Sequence, residues 1–330
     1  MNPYFAKDFF SFFTVFMQRL FLFFNGQLSS TEIASDELQI FVLSLISCAS
    51  AIVGSLLVLK KSTMLANSLS HTVLLGISVA YLIIAFFSTQ QTQVIMGVYA
   101  LLLAAFITAI LTTVLTQFLI HSLRLQEDAS IGLIFTLFFA LGVTVVTMYT
   151  KSTHLGIEAV MGNVDALHLD DLKLISWVVL LDIFVVGIFF KEFKLVIFDP
   201  CFATVLGVRP SLFHYLLMVL TAATVIGAFR AVGVLLVLSL LVGPVLIARI
   251  FTKRLKPMIF YSCMIGSFSS LFSVAMTRHL LSVYDMPLST AGLVVFIITV
   301  IYCASLLFIK IKGSVTLSRV AKQKKCLELK

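Results

Sequence analysis

The chain has 330 residues, 60% hydrophobic and 12% charged, with a formal net charge of +8 at neutral pH. At a mean hydropathy of +1.12, a soluble core cannot absorb so much apolar surface, which excludes a soluble enzyme. Runs of about 20 apolar residues, enough to cross a hydrocarbon core of about 30 Å, recur along nearly the whole length.

These runs lack period-2 alternation, so helices rather than a barrel satisfy the backbone. The expected fold is all-α: a polytopic membrane bundle of nine to ten transmembrane helices with a short cytoplasmic coupling helix. The positive charge does not point to nucleic acid, because Lys and Arg sit at the ends of apolar runs. Cys48, Cys201, Cys263, Cys303 and Cys326 show no CxxC and no metal-ligand spacing, so neither disulfides nor a zinc site are expected.

The first apolar segment, Phe9 to Phe24, is interrupted by Arg19 and followed by no small-residue cleavage site. It is retained, and either spans once or lies in the interface as an amphipathic helix. After an acidic patch at Glu32, Asp36 and Glu37, apolar runs follow at 38–60, 63–87, 94–119, 131–149, 172–190, 213–229, 231–250, 258–281 and 288–309. With the C-terminus placed in the cytoplasm, Lys60, Lys61, Arg124, Lys191, Lys194, Arg209, Arg249, Lys253, Arg254, Lys256 and the basic tail all fall inside. Of the basic residues after the N-terminal segment, only Lys151, Lys173, Arg230 and Arg278 fall outside. That bias sets the orientation. It also puts Glu158, Asp165, Asp170, Asp171 and Asp285 outside with the first acidic patch, a face suited to concentrating cations or simply tolerated there.

The stretch Lys60–Ser78 organises the chain. Asn67 and His71 are four apart and share one helix face, with Ser68 and Ser70 beside them. A histidine in an apolar helix is costly unless it pairs, faces water or binds something; a buried hydrogen bond and a ligand role both fit. Asp182, in the middle of the fifth run, has two readings of the same kind: helix packing or a cation path. Imidazole and carboxylate together suit zinc, iron and manganese. Thr108, Thr112 and Thr116 form an i+4 stripe typical of helix interfaces. The short segment 151–163 is expected to form a small outer helix over a cavity.

Between the fifth and sixth runs, Asp199 makes a good N-cap, Pro200 fits the first helical position and Gly207 supplies the stop. This predicts a short helix over 199–207. In the seventh run Gly243-Pro244 removes a backbone hydrogen bond and should kink the helix, for gating or for packing. No HExxH, P-loop or Gly-x-Ser-x-Gly motif is present, so no catalysis and no ATP hydrolysis of its own are expected.

Taken in order, several motifs resemble those of the membrane permease subunit of ABC importers for zinc, manganese and iron. They are Phe16-Met17-Gln18-Arg19-Leu20, the 60–79 stretch, Glu127-Asp128-Ala129-Ser130-Ile131-Gly132, and Met161-Gly162-Asn163. Phe198-Asp199-Pro200 through Ala203 and Leu206-Gly207, and Val232-Gly233 through Gly243-Pro244 and Ala248-Arg249, complete the set. The resemblance implies that Asp199, Pro200, Ala203, Leu206 and Gly207 form a coupling helix seated in a separate ATP-binding cassette ATPase. It implies a second permease subunit, as homodimer or heterodimer, and an extracytoplasmic metal-binding protein. The transported divalent metal is then cargo, no cofactor is held permanently, and ATP is used by the partner.

His71 and Asn67 would lie on the path, with Glu127 and Asp128 at the inner mouth or against the ATPase. The family usually has Asp where this chain has Asn67, which removes a charge from a divalent site. A partner permease, or Asp182, would have to compensate, or the protomer has no competent site. The implied location is the bacterial cytoplasmic (inner) membrane. The expected organisation is an N-terminal segment and outer loop (1–37), a permease domain (38–312) and a basic cytoplasmic tail (313–330). A cobalamin or iron-chelate importer permease is the alternative, followed by an ion-coupled secondary carrier, for which no inverted repeat is evident.

Overall fold

Each of the nine expected runs coincides with one helix. A computed structural model describes residues 3–4, 9–25, 34–87, 98–150 and 164–327. Its helices are α1 (Phe9–Phe24), α2 (Ser35–Lys60), α3 (Thr63–Phe87), α4 (Val98–Leu123), α5 (Glu127–Thr150) and α6 (Leu169–Ile188), then α7 (Phe190–Phe198) and α8 (Pro200–Val205). They continue with α9 (Pro210–Val232), α10 (Val234–Phe251), α11 (Leu255–Tyr284) and α12 (Thr290–Leu327). Among the described residues seven helices are long and apolar enough to cross a bilayer, or eight counting the pair α6 and α7 as one span bent by 72°. The segment 151–163, with Glu158 and Met161-Gly162-Asn163, lies outside the described residues, as does Glu32.

Three boundaries differ from expectation. The fifth run does not pass into a loop at 190: the chain bends there and continues as α7, with α8 following Asp199. α10 runs through Pro244 as one helix from Val234 to Phe251. A Cβ on Gly243 would meet Ile298 Cγ2 at 2.5 Å, so the glycine lets α10 and α12 approach closely. The break between the sixth and seventh runs falls at Gly233, whose φ of 81° joins α9 to α10 through a single residue. α12 continues to Leu327, well past the end of its apolar run.

Packing divides the bundle into two hydrophobic clusters. The larger joins α1, α2, α6, α7, α10, α11 and α12 with one face of α9, through residues such as Leu43, Leu56, Val179, Leu220, Leu240 and Val274. The smaller joins Leu65 and Leu69 of α3, Ala105 and Ala109 of α4 and Ile131 of α5 with Met218, Ala222 and Ile226 on the other face of α9. Because lipid is as apolar as these side chains, association depends on close approach rather than on hydrophobicity. At Gly54 a Cβ would run into the backbone carbonyl of Leu241, and at Gly76 it would meet Thr108 Oγ1 at 2.5 Å and the Ala104 carbonyl at 2.8 Å. Thr108, Thr112 and Thr116 return their hydroxyls to carbonyls one turn back. The threonine stripe thus packs without orphaned donors.

Several of the carboxylates expected on the outer side have partners within the chain, while Asp285 is exposed. Asp36 accepts from Arg278 Nε at 2.9 Å. Asp165 accepts from Thr290 Oγ1 at 2.6 Å and Gln39 Nε2 at 3.4 Å. Asp171 caps α6 by accepting from the His168 N–H at 2.9 Å, and Asp170 pairs with Lys173 at 3.0 Å. Glu37 accepts from Tyr4 OH at 2.6 Å and from the Arg19 guanidinium. Burial, then the adjoining Glu37 carboxylate, raise the Tyr4 phenol far above its usual range, and the bond to Glu37 raises Arg19 further. Cys48 and Cys263, unrelated by sequence spacing, approach to 2.6 Å between Sγ atoms across α2 and α11 as free thiols.

Candidate translocation path and coupling helix

The turn carrying Lys60 and Lys61 is a left-handed stop followed at once by α3. Lys61 adopts φ 66°, its N–H reaches the Val58 carbonyl at 3.3 Å, and the Ser62 N–H reaches Leu57 at 3.1 Å. Such a stop satisfies the last carbonyls of α2. Two residues later α3 begins, placing Asn67 and His71 in its first three turns, both half-buried. The His71 ring packs against two aromatic rings of α5, with centroids 5.3 Å from Phe135 and 5.5 Å from Phe139. Ser68 Oγ is buried without a hydrogen-bond partner beside a small cavity lined by Leu65, Leu69, Thr112, Thr116, Ile131 and Met218.

Asp182 is brought to a different wall. It is fully buried on α6, where Oδ2 accepts from Thr224 Oγ1 of α9 at 2.8 Å; Oδ1 has no partner. α6 packs against α2 and α9, whereas α3 packs against α4, α5 and α9. Among the described residues no group of three His, Cys, Asp or Glu side chains comes close enough to hold a metal ion. His71, Asn67 and Asp182 therefore do not form one preformed cage within this protomer.

Glu127 opens α5 and is engaged within the chain. Its Oε1 accepts from Ser62 Oγ at 2.8 Å and lies 3.8 Å from Lys60 Nζ, which in turn is 3.4 Å from His214 Nε2. This node ties the α2–α3 corner to α5 and to the first turns of α9; Asp128 beside it is exposed. Sequence reading missed Ser62, His214 and Thr224. The available signal was charge: lysines 60 and 61 and Glu127 share the inner side, so a pair between them was foreseeable. His214 and Thr224 were not, because only folding brings α9 to those positions.

The coupling segment has the local geometry its residues dictate. Asp199 Oδ1 accepts from the Phe202 N–H at 2.9 Å, Pro200 occupies the first turn, and Gly207 takes φ 79°. Ala203 is completely buried, anchoring the helix, while Phe202, Val205 and Leu206 are 51%, 81% and 58% exposed. This apolar tip is uncovered beside a cleft lined by Thr204, Gly207, Arg209 and Tyr215.

A multi-pass helical bundle with a short apolar helix between spans is a membrane-protein architecture. The sequence matches the ABC 3 transport family over residues 38–309, and the chain belongs to that family. It is 37% identical to the "Probable metal transport system membrane protein" of Chlamydia trachomatis serovar D, over 96% of this chain and 97% of that protein. It is 32% identical to the "Manganese transport system membrane protein MntD" of Bacillus subtilis, over 82% of this chain and 91% of that one. The fold is similar to a chain of "PsaBC from Streptococcus pneumoniae in complex with Fab", with a TM-score of 0.65 at 21% identity, covering 81% of this chain and 89% of the other.

Proposed function

We propose that this chain is the membrane permease subunit of a bacterial ABC importer for a divalent transition metal, with manganese the first cargo to test. The observation that carries the reading is the uncovered apolar tip of α8, anchored by Ala203 and capped by Asp199. A permease of this family without a P-loop of its own needs an external motor, and this tip is what a groove in a separate ATPase subunit would grip. The metal cargo is inferred from the names of the two relatives, which favour a free metal over a chelate.

In this reading the C-terminus is cytoplasmic, and a second permease subunit and an extracytoplasmic metal-binding protein complete the importer. Motion of 199–207 enters α9 through the short link to Pro210. α9 lies between the two clusters, so its displacement shifts α3 to α5 relative to the rest. The Lys60, Glu127 and His214 node links the same three regions at the inner end. His71 then moves with α3, its imidazole leaving the Phe135 and Phe139 rings to act as transient ligand or gate, with Asn67 beside it. Gly243 and Pro244 let α10 yield during that motion, and Asp128 lies at the inner mouth.

The test is ATP-dependent metal accumulation in vesicles holding this chain with its ATPase and permease partner, wild type against His71→Ala. Manganese uptake that collapses in the variant while the complex stays assembled is the expected result. Unchanged uptake would remove His71 from the path. No uptake of manganese, zinc or iron while ATP is still hydrolysed would overturn the free-metal reading.

A further inference from the structure

We infer that α1 does not cross the bilayer but lies along its outer interface, with the Phe10, Met17 and Phe21 face set among the acyl chains of the outer leaflet. The contacts of α1 fix its depth. Tyr4, which precedes the helix, and Arg19, near its end, both bond to Glu37 in the first turn of α2. At the other end Phe9 meets Phe272 and His279 of α11, with centroids 5.2 and 6.3 Å apart. Arg278, beside His279, bonds Asp36, the neighbour of Glu37. Phe272 lies about 9 Å along α11 from Arg278 at 1.5 Å per residue, so both ends of α1 are tied within about 9 Å of the level where α2 begins. A crossing helix would separate Phe9 and Arg19 by about 15 Å of depth at 1.5 Å per residue. The whole helix has 16 residues, about 24 Å, short of the ~30 Å hydrocarbon core.

The pattern around the helix has three sectors. Phe12 and Phe16 face the bundle at 1% and 6% exposure. Phe10, Thr14, Met17 and Phe21, spaced i, i+4, i+7 and i+11, make one outward stripe; the three apolar members are 82%, 57% and 67% exposed. Ser11, Gln18 and Asn25, seven apart, make a polar third stripe that includes the exposed Gln18 and Asn25. A spanning helix has no use for a polar stripe beside its lipid face, whereas an interfacial helix needs one sector each for protein, lipid and water.

Lipid is the occupant because the outward stripe continues a surface that already faces it. On α11, Phe260, Met264 and Phe268 are 62%, 57% and 59% exposed at four-residue spacing. That row leads to Phe272, which packs on Phe268 at 6.1 Å and on Phe9. The charge on Arg19 is held by Glu37, so α1 is fastened by protein contacts and its apolar face is left for the bilayer.

The test moves the only tryptophan. Trp177→Phe with Met17→Trp is prepared in the full chain and reconstituted in vesicles of phosphatidylcholine brominated either near the headgroup or near the acyl ends. A face seated about 5–10 Å below the headgroups should be quenched roughly twofold more by the shallow bromines. Stronger quenching by the deep bromines would show a crossing helix. Quenching by neither would show that protein or water covers the face, and either result overturns the inference. Phe21→Trp, on the same stripe, reads the same depth if the Met17 variant does not fold.

Discussion

The bond between Asp182 and Thr224 separates two roles for the one carboxylate in the middle of the sixth helix. Thr224 Oγ1 lies 2.8 Å from Asp182 Oδ2 and 2.9 Å from its own Leu220 carbonyl, so one hydroxyl hydrogen is shared between two acceptors. Hydrogen bonds within membranes average ~0.6 kcal/mol and reach ~1.7. Thr224→Val keeps the shape, loses that bond and leaves a fully buried carboxyl with neither oxygen satisfied. We expect a loss of about 1–2 kcal/mol, a drop of several degrees in the melting temperature of the purified chain. Asp182→Asn keeps an acceptor for Thr224 and should stay near wild type. Asp182→Leu with Thr224→Val removes donor and acceptor together and should recover most of the loss, since an apolar pair is often neutral where a broken one is not. Uptake by each variant should follow its stability. If Asp182→Asn abolished metal uptake at an unchanged melting temperature, the carboxylate would be acting on the ion, and the packing argument would fail.

Other changes probe the remaining joints. Val205→Asp puts a carboxylate on an 81% exposed position, so the chain should fold normally. Burying that charge in an apolar ATPase groove costs about 3 kcal/mol or more, roughly a hundredfold in affinity, read by co-purification with the ATPase. Gly54→Ala drives a Cβ into the Leu241 carbonyl; overpacking against backbone should cost about 1–3 kcal/mol of thermal stability. Glu127→Ala removes the acceptor of Ser62 and the partner of Lys60. With Glu127 39% exposed, solvent screening limits the loss to about 1 kcal/mol, while uncoupling of ATP hydrolysis from uptake should be the larger effect.

Much of the architecture was legible because a bilayer imposes length and composition on every segment that crosses it. Nine apolar runs gave nine helices, and the Asp199, Pro200 and Gly207 signals gave a capped helix with a left-handed stop. Such features depend on residues within a turn of each other, or on transfer from water to lipid, and both are written locally. The split into two clusters joined by α9 is not, because Leu65, Ala109, Ile131 and Met218 look like any other apolar residues until helices far apart in the chain meet. Nor are the pairings of Glu37 with Tyr4 and Arg19, of Asp36 with Arg278 or of Asp182 with Thr224. Composition gave no partner for Asp36, Glu37 or Asp165, and only tertiary contact supplied one. For α1 the sequence left crossing and lying flat equally open, since a largely apolar stretch of 16 residues suits either; contacts to Glu37 and α11 from opposite ends of that helix favour lying flat, because a helix whose ends stay near one level does not pass through the membrane.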